Sequence, residues 1–154
     1  MNLPEIKQHE GFTVVRDDAM PGGTKARVLP AILDAMRADE FVYASPAYGY
    51  AQIALAFSCR EIGKRATIFV AKRAELHPWT KEAKQAGAKI VQVPFGYLSN
   101  VQSKAKLYAE QTGSAYLPFG FDFPAFQTAL AAIAEALPIS PNEVWSVAGS
   151  GTLT

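Results

Sequence analysis

Arg65-Ala66-Thr67-Ile68-Phe69-Val70-Ala71, a helical passage from His77 to Ala86, then Gly87, then Ala88-Lys89-Ile90-Val91-Gln92-Val93: this stretch decides how the chain folds. Both flanking runs are short and rich in β-branched residues, as strands are. Gly87 stands where a residue that tolerates positive φ can end a helix, and Gly63 and Gly113 hold the same place after two other helical stretches. Strand, helix, glycine, strand is the grammar of a parallel βαβ unit. Working outward, further strands are expected at Glu40 to Ala44, Ser114 to Leu117 and Glu143 to Ala148, so that strands recur at intervals of roughly 25 residues. Helices are expected near Tyr50 to Ile62, Asn100 to Thr112 and Phe123 to Leu137. In the last of these, Phe123, Phe126, Leu130, Ile133 and Leu137 line one apolar face. Right-handed crossovers cover such a sheet on both faces, so the expected fold is α/β, a three-layer sandwich with a mainly parallel sheet.

The 154 residues, 49% apolar and 19% charged, suit one soluble domain with one core. Within it, residues 1–39 read as a strand, turn and helix, residues 40–137 as a Rossmann-like core, and residues 143–154 as a strand running into a glycine loop. Net charge is +1 with the signs mixed along the chain, so the basic stripe that nucleic acid requires is missing. The only cysteine, Cys59, reads as a small buried hydrophobe and points to a reducing compartment. The first ten residues carry charges and no apolar signal region, and no run of 18 apolar residues occurs. A cytoplasmic protein with no membrane partner is the expectation. His9 and His77, the only histidines, lack metal-ligand spacing, so no metal is expected; His77-Pro78 reads as a helix start.

In open parallel sheets ligands gather at the carboxyl ends of the strands. The loops there are aromatic and glycine-rich: Ser45-Pro46-Ala47-Tyr48-Gly49-Tyr50, Pro94-Phe95-Gly96-Tyr97, Pro118-Phe119-Gly120-Phe121-Asp122 and Gly149-Ser150-Gly151-Thr152. Glycines let backbone approach a ligand, and aromatic rings stack on flat heterocycles; singly, such loops read equally as tight turns. Gly149 to Thr152 can present successive N–H groups, with the Ser150 and Thr152 hydroxyls, to phosphate oxygens. Near the other end, Phe12 to Val15 reads as a strand, Pro21-Gly22-Gly23 as a turn, and Val28 to Arg37 as a helix with Pro30 in its first turn. Most lysines are solvated surface charges, but Lys25 lies between turn and helix, where the positive field of a helix start lowers an amine pKa, as an imine-forming lysine needs. Arg27 suits a substrate carboxylate, the phosphate or a surface role. An amine for an aldehyde and a loop for a phosphate together describe a site for pyridoxal 5'-phosphate.

From Phe12 to Thr154 the residues resemble the fold type II pyridoxal phosphate enzymes, and within them the branch of aminocyclopropane-carboxylate deaminase and D-cysteine desulfhydrase. Gly22-Gly23-Thr24-Lys25-Ala26-Arg27 is similar to that branch's Gly-Gly-Asn-Lys-x-Arg signature, Pro118 to Asp122 to its substrate-side loop, and Gly149 to Thr152 to its phosphate cup. The resemblance implies that Lys25 bonds the cofactor and moves a proton at Cα of an amino-acid substrate, with β-elimination or deamination following. Gly49, Tyr50 and the Gly149 loop would then contact the cofactor, and Ser45, Gly120, Phe121, Asp122 and Arg27 would face the substrate. The branch's Ser-Asn-His is replaced by Gly49-Tyr50-Ala51, so cyclopropane ring opening is not expected; Tyr50 can donate to the pyridoxal oxygen instead, and Tyr48 can act as an acid. The cup has one glycine fewer than the common form. Family members continue past the cup, so a fragment, an incomplete frame or half of a split enzyme is expected, completed by a C-terminal half or by a homodimer partner. Two rivals stay open. A phosphoribosyltransferase-like protein would use the Gly149 loop with Asp17-Asp18, and a non-catalytic domain would keep only the architecture.

Overall fold

The computed structural model describes residues 3–94 and 96–146. The chain opens with an antiparallel hairpin, β1 (Ile6–His9) and β2 (Phe12–Val15), in which Ile6 faces Val15 and His9 faces Phe12. Glu10 and Gly11 close it, both at positive φ. A 3₁₀ turn at Asp17–Ala19 leads into two short helices, α1 (Gly23–Ala26) and α2 (Leu29–Ala35), with Pro30 in the first turn of α2.

The expected alternation follows: β3 (Glu40–Ala44), α3 (Ala51–Glu61), β4 (Arg65–Ala71), α4 (Pro78–Gln85), β5 (Lys89–Val93), α5 (Leu98–Thr112), β6 (Ala115–Leu117) and α6 (Pro124–Glu135). The four strands β3 to β6 pair in parallel in the order β5-β4-β3-β6. Side chains alternate across β3. Phe41 and Tyr43 join Leu29, Leu33, Ile53, Leu55, Ile68 and Phe126 on the face covered by α2, α3 and α6. Val42 and Ala44 join Phe69, Val93, Val101 and Ala105 on the face covered by α5. Helices therefore lie on both faces, and the architecture is the three-layer α/β sandwich. Gly113 at φ 69° ends α5 in the left-handed conformation that a side chain would resist.

The strand expected over 143–148 is not formed in its described part. Residues 143–146 have no regular structure, and Val144 and Trp145 are 77% and 81% exposed. A strand exists only by bonding a neighbour, and these residues pair with none of the described strands. Residues 147 and 148 lie outside the described residues. Among the described residues no helix is long and apolar enough to cross a membrane, and no group of three or more His, Cys, Asp or Glu side chains is placed to hold a metal.

The amino end of the sheet is fastened by one acid. Glu40, 9% exposed, accepts hydrogen bonds from Thr67 Oγ1 at 2.6 Å and Tyr108 OH at 3.0 Å, and pairs with Arg65 at 3.4 Å. Burial alone would raise its pKa, but bonds from Thr67, Tyr108 and Ser114 and the Arg65 charge outweigh burial and hold the carboxyl below its ordinary 4.5. A carboxyl depressed by folding contributes stability above its unfolded pKa and loses it as pH falls through the folded value. Thr67→Val should cost about 1–3 kcal/mol in urea unfolding at neutral pH, because the buried acceptor loses a partner. Glu40→Gln should be destabilised at neutral pH, and its deficit should shrink when the comparison is repeated near pH ~3.

Candidate active site

The strand order marks the place. From β3 the chain steps outward to β4 and β5 with α3 and α4 on one face, then returns by α5 on the other face to place β6 on the far side of β3. The strand order reverses between β3 and β6, and the carboxyl ends of strands at such a reversal are where open α/β sheets bind ligands. The loops bordering it are 45–50, after β3, and 118–122, after β6.

Lys25 reaches this place from the N-terminal arm. Its Nζ donates to the Gly120 carbonyl at 2.7 Å, and it lies 5.7 Å and 5.2 Å from the ring centres of Phe121 and Phe126. Residue Gly120 is held at its amide nitrogen as well, its N–H donating to Tyr43 OH at 3.4 Å. Gly120 and Phe121 both adopt positive φ, 72° and 61°; the second is a conformation that a bulky residue adopts only when its surroundings enforce it. The Phe121 ring, fully buried, packs 5.0 Å from Tyr43 and 5.8 Å from Phe126. That packing holds the turn which aims the Gly120 carbonyl at Lys25. It also corrects the reading of Phe121 as substrate-facing, since its ring belongs to the core.

Burial pushes the Lys25 amine down from 10.5 to about 8, against the opposing charge of Asp122. The low value was expected from a helix-start field, but α1 has four residues and desolvation is the cause. Near pH 8 roughly half of the amines are neutral and nucleophilic.

The turn that delivers Lys25 depends on a close approach. Gly22 has φ 84°, and a Cβ there would stand 2.7 Å from Ala26 Cβ and 3.0 Å from Ala54 Cα, so α1 can lie against α3 only with glycine at this position. Arg27, read as an anion holder, has a side chain only 4% exposed, and its Nε donates to Asp17 at 2.5 Å. Asp17, offered as half of an acidic pair, is thus an internal partner of Thr24 and Arg27.

The other expected residues divide. Ser45 is buried with its hydroxyl bonded to the Pro46 carbonyl at 2.9 Å, and Gly49 passes so close that a Cβ would meet Ser45 Oγ at 2.8 Å. The Tyr50 ring stands 3.4 Å from where a Cβ on Gly23 would be, which brings it to the Lys25 turn, and it packs edge-on to Trp79 at 5.5 Å. Burial, with the charge of Glu82, raises the Tyr50 pKa, so it keeps its proton. Tyr48, 65% exposed, has its ring contacts with His77 at 4.7 Å and Arg73 at 5.5 Å; none of the described contacts joins it to Lys25. Asp122 is exposed, and its Oδ1 accepts from Gln127 at 2.6 Å. Gly149, Ser150, Gly151 and Thr152 lie outside the described residues. Sequence reasoning missed Gln52, fully buried in α3, whose Nε2 donates to the Gly49 carbonyl at 2.8 Å and fastens the 45–50 loop. Its signal was a lone amide in an apolar helix.

A wide groove lies beside the rim, about 860 Å³ between α2, α6 and the end of β6, lined by Val28, Ile32, Met36, Leu117, Phe123 and Ile133. Among the described residues Arg27 is the only charged side chain on it, so it offers chiefly an apolar packing surface.

No family model matches the chain, and no curated protein matches it in sequence. Solved structures do match. Processed threonine deaminase isoform 2 from Solanum lycopersicum is similar with a TM-score of 0.69 at 19% identity, over 86% of this chain and 39% of that one. A threonine deaminase from T.th. follows with 0.61 at 21% identity, over 84% and 42%, and a pyridoxal 5'-phosphate-dependent aspartate racemase with 0.59 at 22% identity, over 80% and 39%. The fold is that of part of the fold type II pyridoxal phosphate enzymes. The chain spans about two-fifths of the length of these structures.

Two outcomes test the geometry. A lysine whose pKa folding depresses costs stability while it is charged, and the cost fades as pH rises from about 8 to 10.5. Lys25→Met should therefore unfold at a higher temperature than the parent at neutral pH, with the gap closing toward pH 10.5. Gly22→Ala should lower stability by about 1–3 kcal/mol in denaturant unfolding, since it strains φ and forces α1 off α3.

Proposed function

We propose that this chain carries the cofactor-anchoring lysine of a pyridoxal-phosphate-dependent lyase or deaminase that acts on a small amino acid. The observation that carries the reading is the placement of Lys25. A half-buried primary amine with its pKa lowered to about 8 sits at the reversal point of a parallel sheet, 2.7 Å from the Gly120 carbonyl. These residues fit a group that bears an aldehyde. Such a bond needs a neutral amine sheltered from water, and half-buried Lys25 supplies one. When bound, the cofactor supplies an electron sink for charge that develops at the substrate Cα. Lys25 is the base that takes the Cα proton, its lowered pKa leaving a large share of the amine neutral near pH ~8. Tyr50, protonated and beside the Lys25 turn, is the hydrogen-bond donor in the place of the branch's asparagine. The Gly149-Ser150-Gly151-Thr152 loop holds the phosphate, by its composition.

The Gly22 to Arg27 signature supports the branch of aminocyclopropane-carboxylate deaminase and D-cysteine desulfhydrase, and Gly49-Tyr50-Ala51 favours β-elimination or deamination over ring opening. Because the similar structures are more than twice as long, we assign the remaining site groups to further polypeptide, from a C-terminal half or a homodimer partner. The phosphoribosyltransferase-like reading loses its acidic pair: Asp17 bonds Thr24 and Arg27, and Asp18 bonds Arg16 at 2.8 Å.

The test is to add pyridoxal phosphate to the purified chain and to Lys25→Ala, reduce with borohydride, and map the product by mass spectrometry. A phosphopyridoxyl group on Lys25, lost in the variant, is the expected result. Labelling spread over surface lysines, with Lys25 no more reactive than the rest, would leave the non-catalytic reading in possession.

A further inference from the structure

The lysine turn has too little structure of its own to hold still. α1 contains four residues, Gly23–Ala26, and a helix of one turn leaves nearly all of its backbone groups unpaired, so it is marginal without outside support. Lys25 is nonetheless aimed at a carbonyl 95 positions away. The support comes from Asp17. Its Oδ2 accepts from Thr24 Oγ1 at 2.6 Å and its Oδ1 accepts from Arg27 Nε at 2.5 Å. One carboxylate thus grips the residue before Lys25 and the residue two after it, and the Arg27 arm is almost wholly buried. The adjacent acid does nothing of the kind: Asp18, 67% exposed, turns to Arg16 at the surface. Asp17 is itself fixed by the 3₁₀ turn Asp17–Ala19, whose carbonyl from Asp17 accepts from Met20 N–H, while the Met20 carbonyl accepts from Gly23 N–H at 2.9 Å.

We propose that Asp17 is a positioning residue, whose carboxylate clamps Thr24 and Arg27 on either side of Lys25 and so holds the lysine amine at the Gly120 carbonyl, beside the carboxyl ends of β3 and β6. It touches neither cofactor nor substrate; it acts through the turn. Asp122 on the rim is the charge that bears on the amine itself, and Asp17 works without contact to it. The inference deepens the functional reading above but rests on a separate observation, the two bonds of Asp17.

The experiment reads the Lys25 amine without any cofactor. Competitive labelling with acetic anhydride across pH, followed by peptide mapping, gives the apparent pKa and reactivity of Lys25 relative to an exposed lysine such as Lys104. In the parent chain Lys25 should titrate near 8. In Asp17→Asn, which keeps the shape but cannot grip both donors with a charged oxygen, the released amine enters water. Its pKa should climb toward 10.5, and its neutral fraction at pH ~8 should fall roughly tenfold or more. Thr24→Val removes one arm only and should give an intermediate shift; it serves as the decisive variant if Asp17→Asn does not fold. Thr67→Val, which weakens the sheet far from the turn, should lower stability and leave the Lys25 pKa in place. A folded Asp17→Asn or Thr24→Val that titrates like the parent would overturn the proposal, as would an equal shift in Thr67→Val. Should the shift occur in a chain that never attaches pyridoxal phosphate at Lys25, the clamp stands and the functional reading falls.

Discussion

The hydrogen bond from Lys25 to the Gly120 carbonyl is the constraint on which the site depends, because it joins two pieces that nothing in local sequence brings together. One end is an N-terminal turn whose helix is too short to stand alone; the other is a loop whose backbone sits in left-handed conformations at Gly120 and Phe121. Each piece is made rigid by a different interaction. Asp17 fixes the lysine turn by ionic and hydroxyl bonds, and the Tyr43–Phe121–Phe126 ring packing fixes the loop by filling the core. The amine is then desolvated by apolar rings and given a carbonyl partner, which stabilises the ammonium less than a carboxylate would. The low pKa is the consequence.

That balance explains why the parallel sheet matters to chemistry. Tyr43 lies in β3 and Gly120 follows β6, and the two strands pair with Tyr43 beside Leu117. The register fixes how far the 118–122 loop stands from the Tyr43 hydroxyl, which bonds Gly120 N–H. Further down the same strand, Glu40 gathers Thr67 and Tyr108 at the amino end. β3 is thus fastened by polar bonds at its base and presents polar groups at its tip, with an apolar middle of Phe41 and Val42.

Much of the architecture was legible because its signals are local. Strands β3 to β6 lie within a residue of their expected bounds, and glycines mark the ends of their helices. The hairpin strand β1 escaped notice, since Ile6 to His9 carries mostly polar exposed residues and its stability comes from pairing with β2. The 143–146 strand was overread for the converse reason: Val144 and Trp145 have β propensity, but propensity makes no strand without a neighbour to bond. At the site, motif and rim position single out Lys25 and Gly120, and the structure places them 2.7 Å apart. The roles of Asp17 and Gln52 escape such signals, because each is defined by which partners a part-buried carboxylate or a buried amide meets in space.

The aromatic loops show how far composition can carry a functional argument. Pro-aromatic-glycine segments on one rim suggested rings stacked on a flat ligand, yet the rings serve three different ends. Phe121 is core, Tyr97 is 89% exposed, and Tyr48 and Tyr50 pack edge-on against His77 and Trp79. Of these, Tyr50 stands against the lysine turn and the Phe121 ring lies 5.7 Å from the Lys25 amine. What the loops share is therefore backbone geometry, glycine and proline setting tight reversals at strand ends, and the chemistry comes from a carbonyl that such a reversal exposes. A rim of this kind recognises an amine through main-chain oxygen. Because that contact is made by backbone oxygen, it does not depend on which side chains residues 49–51 carry.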